Sequence, residues 1–332
     1  MNWTELDWKC LERLRETFLA GKPSQEAYWQ SHSDLENYDL TFGERIGWKW
    51  DAVLDELVMR GWKPPGGLML DWGCGSGVAG RRVLRRFGAG CVSSLAVWDR
   101  SPLAADFAFE AARREFPGLD AACAAPGFLD SDEPIGLLVV SHVINELSPA
   151  ALREVLGLAR RCRAVLWTEP GTRDASRALG AVRDELAADF GIVAPCTRQG
   201  PCPVLAPENE RHWCHFFAHP PAGVLADSNW VKFGQRAGID MRSLPYAFVA
   251  LERGTAGPPH GLSRVIGRPE HFKPYARLLN CDETGLAELS VMRRTHGALY
   301  KELDKNRKPL VYAWRHDGAV VTETPAEVAP GA

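Results

Sequence analysis

Short apolar runs alternate with segments of helical periodicity through the middle of this 332-residue chain, and no other feature limits its fold as strongly. Strands are predicted at Leu68–Asp71, Ser94–Asp99, Ile135–Ser141 and Ala164–Thr168. Helices are predicted at Val78–Phe87, Pro102–Phe116, Pro149–Arg161 and Asp174–Phe190. Strands joined through helices of this length form right-handed βαβ units. The sequence therefore predicts an α/β fold over residues 67–253, with a doubly wound parallel sheet covered on both faces.

Other regions flank or interrupt this predicted sheet. Residues 1–66 show helical spacing of apolar side chains and end near a Pro-Pro-Gly-Gly turn, which predicts an N-terminal helical layer. Residues 193–230 are rich in Pro, Cys, His and Trp without an apolar period, which predicts an insertion held by something other than a core. Residues 254–316 contain short strand-like runs and predict a small β-rich appendage, and residues 317–332 a flexible tail.

Composition excludes some classes of protein. Thirty-nine basic against 42 acidic residues leave a net charge of −3, so no overall basic field indicates nucleic acid. The longest apolar runs, such as Ile135–Val140, fall far short of the roughly 20 residues that span a bilayer, so we expect no membrane segment. The first 22 residues mix acids with bases and lack the apolar core of a signal peptide, so we expect a cytoplasmic protein. Nine cysteines in a reducing compartment are expected to be thiols or metal ligands.

A glycine-rich turn at residues 71–77, D-W-G-C-G-S-G, follows the first predicted strand. From Gly75 the sequence is G-x-G-x-x-G with Asp99 about 20 residues further on, the fingerprint of dinucleotide binding and hence of an NAD-dependent oxidoreductase. From Gly73 it is acid-x-G-x-G-x-G, which resembles the first motif of class I S-adenosylmethionine-dependent methyltransferases.

The second interpretation is favoured, because the dinucleotide motif begins directly after its strand whereas Gly75 lies four positions beyond Asp71. A carboxylate also complements the ammonium and sulfonium groups of S-adenosylmethionine and repels a pyrophosphate. The resemblance implies that Asp99, after the second strand, accepts the ribose hydroxyls, and that Asp130 is a candidate for the adenine amine. The predicted cofactor-binding residues are Asp71, Gly73, Gly75, Gly77, Asp99 and Asp130.

Methyl transfer is left open by the sequence. After the fourth strand of exocyclic-amine methyltransferases comes Asn or Asp, two prolines and an aromatic residue, whereas residues 141–147 here are S-H-V-I-N-E-L. A Pro-Cys nucleophile is also missing at that strand end. His142 is the candidate general base, although a histidine at a strand end is more often a hydrogen-bonded structural residue.

Cysteines gather in the predicted insertion, where Cys196, Cys202 and Cys214 lie within 19 residues. Thiolates are the ligands that iron–sulfur clusters and zinc select. The spacing C-x5-C-x11-C differs from a zinc ribbon, whose first pair is separated by two to four residues. Three unligated thiols are the alternative. Candidates for a fourth ligand are His212, His215, His219 and Cys281.

The run from Ala194 to Pro203, together with Trp213–Phe216 and Thr168–Thr172, resembles the methyltransferase-like family of the mitochondrial small ribosomal subunit and its prokaryotic relatives. The similarity extends from Tyr38 to Trp314. It implies binding to the small ribosomal subunit and its rRNA during assembly or translation, and we expect a monomer when free. The lack of a presequence favours a bacterial cytosol. The resemblance also implies a [4Fe–4S] cluster, with zinc as the alternative, on Cys196, Cys202, Cys214 and Cys281.

Independent signals for RNA come from local charge and aromatic residues. Residues 260–316 contain eleven Lys or Arg against six acids, although such runs are often solvated faces. The candidates for base stacking are Phe272, Tyr275, Tyr300 and Trp314, and a basic helix face is formed by Arg81, Arg82, Arg85 and Arg86.

The leading hypothesis is an iron–sulfur-bearing, methyltransferase-like ribosomal factor. The alternatives are an active RNA methyltransferase and an NAD-dependent oxidoreductase.

Overall fold

The computed structural model describes residues 2–20, 28–305 and 309–324. Its α-helices are α1 (Trp8–Ala20), α2 (His32–Tyr38), α3 (Glu44–Met59), α4 (Val78–Phe87), α5 (Pro102–Glu115), α6 (Pro149–Ala159), α7 (Arg173–Leu186), α8 (Ser228–Ala237) and α9 (Gly297–Lys305). Its first strands are β1 (Leu68–Trp72), β2 (Ser94–Trp98), β3 (Ala121–Cys123), β4 (Ile135–Ser141), β5 (Cys162–Pro170), β6 (Gly191–Ala194) and β7 (Phe216–Ala218). The later strands are β8 (Leu244–Glu252), β9 (Ser263–His271), β10 (Tyr275–Asp282), β11 (Gly285–Met292), β12 (Val311–Tyr312), β13 (Arg315–Asp317) and β14 (Val320–Glu323).

The chain forms two compact units, each built from separate stretches of sequence. The first contains the described residues of Met1–Leu54, Lys63–Thr168 and Ala218–Leu244. The second contains those of Asp55–Trp62, Glu169–Phe217 and Pro245–Ala332. The sequence boundaries predicted at residues 66 and 253 do not coincide with these units. Within the described ranges, no helix is both long and apolar enough to cross a bilayer.

A parallel sheet with the strand order β3-β2-β1-β4-β5 forms the centre of the first unit. In β1, Met69 and Leu70 are fully buried, as expected for a strand covered on both faces. Helix α2 packs on α5 through a cluster that includes Leu35 and Phe107. The predicted class I methyltransferase-like, doubly wound α/β fold is confirmed. Chain order reverses at β1, so the crevice for a ligand lies at the carboxyl ends of β1, β2 and β4.

The second unit contains a separate antiparallel-rich sheet with the order β12-β9-β10-β11-β14-β13. Its core includes Val265, Leu289, Leu303 and Trp314, and helix α9, which the sequence did not predict, contributes to it. Elsewhere in the unit, β6 pairs with β8 in antiparallel fashion. The β-rich appendage is therefore confirmed.

Two sequence-based boundaries need correction. Residues predicted as a flexible tail include β14, because this strand pairs with β13 and its Val321, 1% exposed, joins the core of the C-terminal sheet. Residues 325–332 of that predicted tail lie outside the described residues. The segment predicted as an irregular insertion contains β7 and the start of α8, where Asp227 caps the helix through the backbone N–H groups of Asn229 and Trp230.

Candidate functional site

The glycine-rich turn lies at the carboxyl end of β1, as predicted. Gly73, Gly75 and Gly77 all have positive φ, between 52° and 75°, a conformation that residues with a Cβ rarely adopt. A Cβ on Gly77 would lie 2.8 Å from the Cβ of Ala108, so α4 starts close against α5. The carbonyl of Trp98 accepts the N–H of Gly73 at 2.8 Å, which ties the turn to the end of β2.

Asp99 is brought to this turn. Its carboxylate accepts the N–H of Gly75 at 2.9 Å and that of Ser101 at 2.9 Å. Burial raises the pKa of Asp99, although these two hydrogen bonds oppose the shift. The side chain is only half-buried, so its carboxylate is held in place at the mouth of the crevice.

Asp71 is placed differently, beneath the turn. It is 1% exposed, and its Oδ2 accepts the N–H of Gly80 at 3.0 Å. Burial raises the pKa of Asp71 to about 7. Its carboxylate therefore organises the start of α4, and its influence on a ligand in the crevice would be electrostatic. Asp130 lies exposed at the end of the short helical turn Phe128–Asp130, after β3.

Further side chains at the crevice were missed by the sequence reasoning. A Cβ on Gly75 would lie 3.8 Å from the indole of Trp29, which also packs edge-on against Tyr38 at 5.1 Å. Burial and the nearby Asp99 raise the pKa of Glu146, which follows β4. Aromatic surface and two carboxylates thus surround the turn. No sequence motif marks Trp29, because it precedes α2 far from the turn in the chain.

His142 has a backbone φ of 57°, unusual for a residue other than glycine, at the end of β4. Its Nε2 lies 3.2 Å from Lys49 Nζ and its Nδ1 3.2 Å from Ser141 Oγ. Lysine can only donate, so Nε2 accepts and Nδ1 carries the proton. Burial, then Lys49 and Arg45, hold the pKa of His142 well below its usual range. With its lone pair engaged, this histidine is suited to positioning more than to proton abstraction.

The four predicted cysteine ligands line one small pocket in the second unit. The residues around it are Arg183, Pro195, Cys196, Arg198, Cys202, Pro203, Val204, Cys214, Phe216, Arg264, Ile266 and Cys281. None of the candidate histidines is among them. Cys281 enters from β10, more than 60 residues along the chain from Cys214. The structure therefore brings together the cysteine set that the resemblance implied.

Hydrogen bonds hold the insertion to its neighbours around this pocket. Thr197 Oγ1 donates to the carbonyl of Cys281 at 3.1 Å, and the carboxylate of Asp184 accepts the N–H of Cys202 at 3.0 Å. Arg177 donates to the carbonyls of Val204 and His212 at 2.6 and 3.0 Å. Backbone polar groups of this segment are in this way satisfied by side chains.

The pocket thiols influence one another. Burial, followed by the proximity of the other three cysteines, raises the pKa of Cys214 well above its usual value. Burial and Cys196 raise the pKa of Cys202 to about 11. Within the described ranges, no three His, Cys, Asp or Glu side chains converge closely enough to hold a single metal ion.

Three of the predicted RNA contacts, Arg81, Arg82 and Trp314, are wrong, whereas Arg85 and Arg86 of the same predicted helix face are exposed. Arg81 and Arg82 are buried in ion pairs within the first unit: Arg81 pairs with Asp39 at 2.5 Å, and Arg82 with Glu44 at 2.6 Å. These arginines stabilise the helical layer instead of forming a basic face. Trp314 is 6% exposed and stacks on Tyr312 inside the core, so it offers no surface to a base.

The other aromatic candidates lie on the surface of the second unit. Phe272 is 39% exposed and stacks on Tyr275 at a centroid distance of 5.0 Å. Arg277 lies over the Phe272 ring at 5.5 Å, and Arg293 over Tyr300 at 5.6 Å. Lys273 and Arg294 are exposed beside them. We call the set Phe272, Lys273, Tyr275, Arg277, Arg293, Arg294 and Tyr300 the aromatic–basic patch.

The sequence of this chain was compared with models of known protein families. Residues 69–308, nearly three quarters of the chain, match the family described as mitochondrial small ribosomal subunit Rsm22. The chain belongs to the Rsm22 family. The match spans the glycine turn and the cysteine pocket of this Rsm22-family protein. No curated protein matches it.

Solved structures of several methyltransferases are similar to this Rsm22-family chain. An O-methyltransferase family protein from Burkholderia thailandensis is 17% identical, with 75% of this chain and 69% of that chain covered and a TM-score of 0.37. The magnesium protoporphyrin IX methyltransferase of Synechocystis, with bound SAM, is 15% identical over 56% and 85%, with a TM-score of 0.35. Precorrin-6y C5,15-methyltransferase from Geobacter metallireducens is 12% identical over 60% and 86%, with a TM-score of 0.36.

Proposed function

We propose that this Rsm22-family protein is an iron–sulfur-bearing, methyltransferase-like factor that binds the small ribosomal subunit through its rRNA during assembly or translation, in the bacterial cytosol. One observation carries the proposal: four cysteines from distant stretches of an Rsm22-family chain line a single pocket.

The donor set of the pocket fits a [4Fe–4S] cluster. Four thiols are the ligands that such a cluster requires, one for each iron. Around one zinc ion, four sulfur atoms would all lie about 2.3 Å from the metal. A cluster distributes its four thiolates over four irons, whereas zinc would require all four at one ion, and the metal content of the purified protein distinguishes the two. Cys196, Cys202, Cys214 and Cys281 would hold the cluster, which when bound supplies a redox-active or structural centre.

Anaerobic purification tests the metal. We expect broad visible absorbance with iron and acid-labile sulfide in the wild-type protein, whereas colourless protein that contains zinc would refute the cluster. Cys202→Ser should lose the metal and become sensitive to protease, because between Cys196 and Cys214 only Val204 is a buried hydrophobic side chain. Cys91→Ser, at a half-buried cysteine of the first unit outside the pocket, should keep both the metal and the resistance. Equal resistance of the two variants would contradict a structural role.

S-adenosylmethionine binding at the glycine turn is the second part of the proposal. The support is the positive-φ turn, with Asp99 fixed at its mouth and Trp29 and Glu146 beside it. A cationic sulfonium and ammonium suit this acidic, aromatic crevice. Asp99 would accept the ribose hydroxyls, the role of the acid after the second strand in the methyltransferases whose motif this turn resembles.

Calorimetry combined with a labelled-methyl assay separates the possible activities. Binding of S-adenosylmethionine without label transfer to small subunits supports a non-catalytic factor. Transfer of label supports an active RNA methyltransferase, a function that the engaged lone pair of His142 disfavours. Binding of NAD instead would overturn both.

The aromatic–basic patch is the surface we propose for rRNA. Exposed aromatic rings stack on bases of any sequence, and nearby cations attract the phosphate backbone. The Arg277 guanidinium lies over the Phe272 ring, and the Arg293 guanidinium lies over the Tyr300 ring. The patch therefore offers base stacking and phosphate contacts at the same place. Single-stranded rRNA, whose bases are accessible, suits such a patch better than a duplex.

A further inference from the structure

Three arginines share the pocket with the four cysteines. Arg183, Arg198 and Arg264 line it, and the Nε–H of each is buried with no hydrogen-bond partner among the residues that the structure describes. An unsatisfied buried donor is unfavourable, and more so when the group is charged. Three of them around one pocket indicate that its occupant accepts hydrogen bonds.

The three arginines reach the pocket from different elements. Arg183 belongs to α7, Arg198 to the insertion between Cys196 and Cys202, and Arg264 to β9. The guanidinium of Arg264 also lies 4.0 Å over the ring of Phe216, another residue of the lining. Donors therefore reach the pocket from three separate parts of the second unit.

The three arginines differ in what else they hold. Arg183 donates to the carbonyls of Gly200 and Arg198, at 2.7 and 2.9 Å, so it also shapes the insertion. Arg264 is paired with the buried carboxylate of Glu56. Arg198 donates through Nη1 to the carbonyl of Asp282 at 3.4 Å, a long and weak contact. Arg198 is therefore the arginine whose replacement disturbs the fold least.

We propose that Arg183, Arg198 and Arg264 donate their Nε–H groups to the sulfur atoms of the bound cluster and thereby raise its reduction potential. The inference rests on the proposed iron–sulfur function. Four thiolates around a [4Fe–4S] core of charge +2 carry a net charge of −2, and reduction adds another negative charge. Cations and N–H donors stabilise the more negative, reduced state more strongly, which raises the potential.

Arg198→Met in the full-length, anaerobically purified protein tests this. Iron and sulfide content is measured first, because it decides the proposed function separately from the inference. An EPR-monitored titration with dithionite then gives the midpoint potential. We expect Arg198→Met to keep its cluster and to shift the oxidised-to-reduced equilibrium about tenfold, to a potential about 59 mV more negative for this one-electron couple. Arg198→Lys keeps the charge but loses the guanidinium N–H donors, so its midpoint potential should shift in the same direction by a smaller amount.

The matched control is Arg211→Met, at a 74% exposed arginine of the same insertion. It makes the same change of charge and should leave the potential unaltered. An Arg198→Met protein with full iron content and the wild-type potential would overturn the inference while the proposed function stands. Should Arg198→Met fail to hold the cluster, Arg198→Lys decides, and an unshifted potential there overturns it. Wild-type protein without iron would overturn the proposed function and the inference with it.

Discussion

At the scale of single residues, the glycine turn combines backbone conformation with close packing. Gly77 has a φ of 75°, and a Cβ there would lie 2.8 Å from Ala108. Gly77→Ala should therefore lower the free energy of unfolding by about 2 kcal/mol or more, from left-handed strain plus overpacking. Urea unfolding followed by tryptophan fluorescence measures it. Gly118→Ala, where the added Cβ meets nothing within 4 Å, should change stability little. An equal loss in Gly118→Ala would show that backbone strain and close packing at Gly77 do not account for the loss in Gly77→Ala.

Asp71 is the residue whose titration should be visible in stability. Its pKa rises from 3.8 to about 7 on folding because it is buried. The folded state thus binds more protons than the unfolded state between about pH 4 and pH 7, so stability falls as pH rises through this window. Asp71→Asn removes the titration. Relative to this variant, wild-type protein should gain up to about 4 kcal/mol from pH 7 to pH 4, measured by urea unfolding at each pH. A pH-independent difference would refute a buried, titrating Asp71.

At the scale of elements, sequence patterns predicted some strand and helix boundaries well and others poorly. Predicted bounds of β4 and α4 agree with the structure, because a continuous apolar run and flanking glycines mark them. Strand β3 was missed because it has three partly exposed residues and no pattern of its own. The contact of Asp99 with the glycine turn could be expected, since both follow adjacent parallel strands. The arginines of the cysteine pocket could not, because only tertiary packing brings them there.

The end of α3 is held to β9 by a buried ionic triad. Glu56 is fully buried and accepts hydrogen bonds from Arg60, at 2.8 Å, and from Arg264. Burial would raise its pKa, but the two guanidinium groups outweigh this and lower it. Glu56→Gln leaves two buried cations with no carboxylate and should lower the free energy of unfolding by about 3–5 kcal/mol. Urea unfolding and limited proteolysis both report it.

An exposed ion pair provides the matched control for that change. Glu288 pairs with Arg211 at 3.0 Å and is 46% exposed. Because solvent screens such a pair, Glu288→Gln should lower stability by less than about 1 kcal/mol. Similar losses in the two variants would mean that burial of the triad adds nothing.

At the scale of the whole molecule, the net charge of −3 hides an uneven distribution. Residues 260–316 carry a formal charge of +5, from eleven bases and six acids, and the aromatic–basic patch lies among them. With this distribution, the proposed binding of rRNA would use one face, while the overall charge would keep non-specific binding weak. Composition alone conceals the patch, because the charges that matter are defined by exposure and by the rings beside them.

Charge reversal on the patch tests the proposed RNA surface. Lys273→Glu combined with Arg294→Glu should weaken binding of labelled small-subunit rRNA fragments at least tenfold, measured by fluorescence anisotropy. The loss of two phosphate contacts should also flatten the slope of log affinity against log salt by about 1.4, at roughly 0.7 per contact for single strands. Arg114→Glu with Arg153→Glu, two exposed arginines of the first unit, makes the same change of net charge and should weaken binding far less. Equal weakening by both pairs would mean that RNA responds to total charge, and the patch would have no special role.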